Sequence, residues 1–120
     1  TQMKTAQEIF QEVATHLIIQ NKKSKARGRC AYKGSNELKC AIGCLIPDDI
    51  YSLKMEGCSI GALFDFIGDD LRKARLSIKH KVLLQHLQWV HDNDRVENWK
   101  NKLLRISVKH KLSSAFMDQI

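Results

Sequence analysis

Apolar residues recur at three- and four-residue spacing near the start of the chain: Ala6, Ile9, Phe10, Val13 and Leu17. That period marks one face of a helix, and Thr5-Ala6-Gln7-Glu8 ahead of it has the form of a capping box. A helix from Thr5 to Gln20 is predicted, led in by Thr1-Gln2-Met3-Lys4. A second helical pattern follows Ser59, an N-cap residue type, with Ile60, Leu63, Phe64 and Ile67 ending near Gly68, and Asp69 to Arg75 either continue it or form a loop. A third opens at Ser77, where Ile78, Val82, Leu83, Leu87, Trp89 and Val90 make a broad apolar face down to His91. Asp94 and Glu97 form a second capping box, and Val96, Trp99, Leu103 and Ile106 then give a fourth helix, antiparallel to the third because the link is short. Ser113 caps a terminal turn carrying Phe116, Met117 and Ile120.

Between the first two helices the period changes. Arg29-Cys30-Ala31-Tyr32-Lys33 and Leu38-Lys39-Cys40-Ala41-Ile42 bracket Gly34-Ser35-Asn36-Glu37, the pattern of a β-hairpin. A strand pair this small must lie against helices to be stable. Gly43 breaks the second run. Pro47-Asp48-Asp49 suits the first turn of a helix, where proline lacks no needed amide and acids are favoured.

These elements define an α+β domain, predominantly helical, with four or five helices packed around a small two-stranded β-hairpin. It is expected to span 1–120 as one domain: a basic loop at 21–29, a cysteine-containing hairpin region at 29–46 and a helical C-terminal half at 59–120. The expected core is Phe10, Val13, Leu17, Ile42, Leu45, Leu63, Phe64, Leu83, Leu87, Trp89, Val90, Trp99, Leu103 and Ile106.

Composition supports that class. At 120 residues, 43% apolar and 28% charged, the chain fits one globular domain and not a disordered or disulfide-dense one. Apolar runs such as Leu17-Ile18-Ile19 fall far short of the roughly 20 residues of a membrane span, and no signal-peptide core is seen, so the expectation is a cytoplasmic protein without a membrane partner. The net charge is +7. Most of the excess sits in Lys22, Lys23, Lys25, Arg27, Arg29, Lys33 and Lys39, offset by Glu37 alone. With Tyr32, these are the candidate contact residues, suited to phosphates or to an acidic protein surface. As a solvated connector, the same loop simply aids solubility.

Chemistry-bearing residues give weaker patterns. Cys30, Cys40, Cys44 and Cys58 are spaced C-x9-C-x3-C-x13-C, without the C-x2-C knuckle that marks most zinc sites. They are candidate zinc ligands only as a minor reading, with buried reduced thiols the default and no cofactor favoured. His80, His86 and His91 are scattered around their helix, which suits interfacial or solvent positions. No cysteine or histidine stands in the context of a known cysteine enzyme, and no phosphate-binding glycine loop is present. The expectation leans against an enzyme and assigns no catalytic residue.

The residues Cys30-Ala31-Tyr32-Lys33-Gly34 and Leu38-Lys39-Cys40-Ala41-Ile42-Gly43-Cys44-Leu45-Ile46-Pro47-Asp48-Asp49, with Tyr51, resemble a pattern in small proteins of bacteriophages and bacteria. Leu84, Leu87-Gln88, His91-Asp92, Trp99 and Leu103 are similar to the same group, so the likeness spans most of the chain. It implies a phage or mobile-element origin and a cytoplasmic location, and it carries over no activity. Small proteins of such origin often bind and redirect a host protein.

Three functions follow as expectations. The first is a non-enzymatic binding protein that modulates a host protein, as an inhibitor or decoy. The second is a nucleic-acid-binding protein using the basic 22–39 segment, helped by Lys102, Arg105, Lys109 and Lys111. The third is a cysteine- or metal-dependent enzyme. An apolar helix face looks the same against its own chain or a copy, so oligomeric state is not read from the pattern.

Overall fold

α1 (Ala6–Gln20) begins at the expected capping box: the Thr5 hydroxyl accepts the Glu8 amide at 3.1 Å, and the Glu8 carboxylate accepts the Thr5 amide at 3.0 Å. In this computed structural model, residues 2–120 are described and Thr1 lies outside them. The stripe Ile9, Phe10, Val13, Ala14 and Leu17 is buried against α3 (Lys81–Asn93), α4 (Trp99–Lys109) and the last turn, Ala115–Gln119. Phe10 meets Phe116 edge-on, ring centres 5.7 Å apart. The Gln7 side-chain amide pairs both ways with the backbone of Ser113, at 3.0 and 2.8 Å.

Asn21 ends α1 in a left-handed conformation, φ 52°, which asparagine tolerates better than most residues. The chain then forms β1 (Lys25–Ala26) and β2 (Arg29–Cys30), paired antiparallel with Ala26 opposite Arg29. Arg27 and Gly28 make the tight turn with φ of 53° and 77°, the double positive φ that matches the strands' twist in a two-residue hairpin loop. The hairpin therefore lies one run earlier than expected. The 29–33 and 38–42 runs meet through a single bridge between Lys33 and Lys39. Pairing stops there because the chain turns helical at Cys40: the Cys44 amide donates to the Cys40 carbonyl at 3.2 Å, leading into a 3-10 turn at Gly43–Leu45. Two glycines permit the crossing. A Cβ on Gly43 would lie 1.7 Å from the Tyr32 carbonyl oxygen, and one on Gly34 2.6 Å from the Lys25 carbonyl oxygen.

α2 (Ile60–Lys73) starts at Ser59, whose hydroxyl accepts the Ala62 amide at 3.1 Å. Of the two expected outcomes the continuing helix is the one found, with a kink near Gly68: Ile67 leaves helical geometry at φ −132°, ψ 33°, and the helix resumes to Lys73. Ser77 caps a 3-10 turn at Ile78–His80 that leads into α3. Between α3 and α4 the expected capping box is absent. Glu97 instead pairs with Arg95 at 3.0 Å, and the Asp94 carbonyl accepts the Trp99 indole N–H at 3.2 Å.

The described chain is thus an α+β fold, predominantly helical, with four helices and one small antiparallel hairpin. No helix of the described residues is long and apolar enough to cross a membrane. Of the expected core, Trp89 is the main correction: it is 65% exposed, whereas Trp99 is 2% exposed. Phe64 is half-buried at the core's edge. The buried face of α3 is Leu83, Leu84, Leu87, Val90 and His91. Trp89 is two residues beyond Leu87, about 200° around a helix, so it faces outward with Val82 and Ile78.

Candidate functional site

His91 is fully buried and organises the end of α3. The Ser24 amide donates to its Nε2 at 2.9 Å. An amide N–H can only donate, so that nitrogen carries the lone pair and Nδ1 carries the proton. Nδ1 donates to Asp92 Oδ1 at 2.7 Å, where the Gln88 side chain also donates at 2.9 Å. Gln88 in turn accepts the Ile42 amide at 3.1 Å. The Ser24 hydroxyl, fully buried like the rest of the residue, faces the carbonyls of Ala31 and Leu38 at 2.9 and 3.0 Å. One polar network therefore holds the hairpin, the cysteine-rich crossing and α3 together. The expectation of a solvent or interfacial His91 is corrected.

Beside this network lies a cleft of about 520 Å³. Cys30, Ala31 and Tyr32 form one wall, Glu56 to Ile60 another, and the last turns of α3, with Gln85, Gln88, Trp89, Asp92 and Asn93, the third. No lysine or arginine lines it. The Glu56 carboxylate accepts the amides of Tyr32 and Lys33 at 2.8 and 3.1 Å and the Tyr51 hydroxyl at 2.5 Å. Burial, then that bond to Glu56, push the Tyr51 hydroxyl up to about 12. On the other side of Trp89, a groove of about 270 Å³ is lined by His86, Val90, Asp94, Lys102, Arg105, Ile106 and Lys109. No ion pair engages Lys102, Arg105 or Lys109 among the described residues. The indole thus stands between an acidic cleft and a basic groove.

The contact residues expected from sequence divide. Lys22, Lys25, Arg27 and Arg29 are exposed, and Arg27 and Arg29 line a second, larger cleft that shares Cys30 and Glu56 with the first. Lys23 is half-buried and donates to the Asp92 carbonyl at 3.3 Å. Lys33 is committed internally, donating to the Ile46 carbonyl at 2.7 Å and to Asp48 at 2.5 Å, over the Tyr51 ring. Lys39 is half-buried, its carbonyl taking bonds from His16 and Gln20, both at 2.8 Å. Tyr32 is buried, 6% exposed, and donates its hydroxyl to the Cys58 carbonyl, so it is a packing residue and not an anchor. Trp89 is the aromatic that sequence reasoning missed.

All four cysteines are free thiols. Cys40 accepts the Gly43 amide at 3.3 Å, and Cys44 donates to the Ala41 carbonyl at 3.1 Å. Burial pushes both thiols up to about 12. Burial, then the Asp92 carboxylate beside it, also raises Cys30. These environments favour protonated sulfur, the opposite of an activated nucleophile.

The four cysteines do not gather into a metal group among the described residues. Cys30 alone joins one, with His91 and Asp92, their ligand atoms within 4.8 Å of one another. The donor set is plausible, but the imidazole is already committed at both nitrogens. A metal on Nδ1 would move the proton to Nε2, directly against the Ser24 N–H. Comparison with protein families, curated proteins and solved structures finds no match to this chain.

Proposed function

We propose that this chain is a binding protein without a reaction of its own, and that it holds a second protein on the surface centred on Trp89. The observation that carries this reading is the indole, 65% exposed at the shared rim of two clefts of opposite charge. Tryptophan and arginine are the residues most enriched among interface hot spots, and Arg105 lies in the groove that Trp89 borders. Both signs of charge flank the indole. That suits a protein surface, which carries both, better than a polyanion, which Asp92 and Glu56 repel. Val82 and Ile78, 55% and 60% exposed, extend the apolar part of this face. The raised thiols and the fully bonded His91 support contact over catalysis. A host protein, modulated by being bound, is proposed as the partner in line with the expectation from the sequence resemblance.

A second reading, a single-stranded nucleic acid stacked on Trp89, draws on Lys102, Arg105 and Lys109 in the groove. Immobilised protein passed through nuclease-treated bacterial extract separates the two. The expected result is one protein retained near equal stoichiometry and lost with Trp89→Ala, whose circular dichroism stays native. Equal retention by Trp89→Ala overturns the reading. So does binding of a labelled single strand at about 50 mM salt that collapses at about 200 mM, with no protein retained.

A further inference from the structure

In a chain of net charge +7, the larger cleft beside Trp89 stands out for its sign. Its ionisable carboxylates are Asp92 and Glu56, and no cationic side chain lines it. Glu56 has three donors from the protein itself. Asp92 differs. Its Oδ1 takes the bonds from His91 and Gln88, while no described nitrogen donates to Oδ2, and the side chain keeps 33% of its exposure.

Two further features favour a cation at this position. The Trp89 indole offers the best aromatic face for a cation–π contact. The cleft is bordered by Gln88, Trp89, Asp92 and Asn93, from the last turns of α3, the negative end of the helix dipole. Lys23 holds its ammonium on the Asp92 backbone carbonyl, 3.3 Å away, outside the lining of the cleft. Cys30 and His91 make a metal ion the competing guest, but the ring has no nitrogen to give without opposing the Ser24 amide. An organic cation needs no ring nitrogen.

We propose that this cleft receives an arginine side chain of the partner protein, its guanidinium stacked on the Trp89 indole and donating to Oδ2 of Asp92. Arginine fits better than lysine because the planar guanidinium stacks flat on an indole while its in-plane N–H groups still donate to a carboxylate oxygen. The exposed side chains of Gln85 and Asn93 also line the cleft. This deepens the protein-partner reading and rests on it, since it places a basic residue of the partner in the acidic cleft and leaves acidic residues for the groove of Lys102, Arg105 and Lys109.

The test uses the isolated protein and needs no partner. N-acetyl-arginine amide is titrated while the two indole N–H signals are followed by nuclear magnetic resonance. Trp99, bonded to the Asp94 carbonyl, serves as the internal reference. The expected result is a saturable shift of the Trp89 signal, with the Trp99 signal fixed. Replacing Asp92 (Asp92→Asn) keeps an acceptor for the His91 N–H and weakens the arginine affinity about tenfold, the equivalent of about 1.4 kcal/mol. Trp89→Leu, an exposed change that leaves the core intact, weakens it similarly when read from the Gln85 and Asn93 amides.

The neutral urea analogue, N-acetyl-citrulline amide, is expected to shift nothing. An equal response to citrulline, a response to inorganic phosphate instead, or no saturation with arginine overturns the proposal. Partner capture that depends on Trp89, alongside an arginine null, overturns the cleft assignment and leaves the binding reading standing. Arginine saturation without any captured protein supports the cleft's chemistry and removes its protein source.

Discussion

The Ser24 amide and the His91 ring are both fully buried and meet across 2.9 Å, tying the approach to the hairpin to the end of α3. This single contact fixes the tautomer of the ring and, through Asp92, the wall of the acidic cleft.

Removing the ring leaves that amide without an acceptor in a dry place. His91→Ala is expected to lose about 2–4 kcal/mol, from the unpaired donor and the cavity together. His91→Gln, which keeps an acceptor, is expected to lose less. Urea denaturation gives both values, and a cost for His91→Ala below about 1 kcal/mol contradicts the contact.

The two tryptophans separate function from stability. Trp99→Ala empties a site 2% exposed and is expected to cost about 3–5 kcal/mol. Trp89→Ala, on the surface, is expected to stay within about 0.5 kcal/mol of the parent while losing the partner. Thermal melts of the two variants check the contrast, and equal melting points count against the outward placement of Trp89.

The crossing of backbones at Gly43 makes another sharp contrast. Gly43→Ala would put a carbon 1.7 Å from the Tyr32 carbonyl oxygen, so one strand must move and soluble expression is expected to fail or stability to drop by more than about 3 kcal/mol. Gly28→Ala meets no atom within 4 Å but sits at φ 77°, and is expected to cost only about 1 kcal/mol. Comparable losses at both positions in a denaturation series count against the close approach.

Burial pushes His16, His80, His86 and His110 below the ordinary histidine value of 6.5. The unfolded chain therefore takes up protons before the folded one does as the solution is acidified. Stability from these rings is fully present above about pH 6.5 and is lost as the pH falls below it. His86 Nδ1 and His110 Nε2 are 2.9 Å apart, a spacing that two protonated rings oppose. The urea midpoint is expected to fall between about pH 7.5 and 5, and to fall less in His110→Gln. The depressed carboxyls of Glu8 and Asp48 act in a more acidic range. A flat midpoint over that interval contradicts the assignment.

The sequence made α1, α2 and the entry to α3 legible because each carries a start signal, Thr5 with Glu8, Ser59 and Ser77, all of which cap as expected, whereas α4 is legible from its apolar period alone. The fold class followed from those periods. The hairpin was misplaced because its turn, Arg27-Gly28, has a left-handed arginine at φ 53°, a residue that gives no turn signal. The pairing around Gly34 was real but ended after one bridge, since helical turning at Cys40 depends on the approach of Gly43 to Tyr32, a distant contact. The apolar pattern alone places Trp89 in the core because apolar residues cover more than one face of α3. Its angular offset from Leu83, Leu87 and Val90 held the correction. The site was least legible, because the acidic cleft joins Cys30, Glu56 and Asp92 from three separate parts of the chain, with no spacing rule to link them.

The burial of α1 against α3, α4 and the turn at Ala115–Gln119 has a consequence for biosynthesis. The greasy stripe of the first helix is made well before α4 and the last turn, which complete its cover. Until Trp99 to Phe116 have emerged, part of that stripe lacks its native cover, so the packing around α1 is completed only by the last-made quarter of the chain.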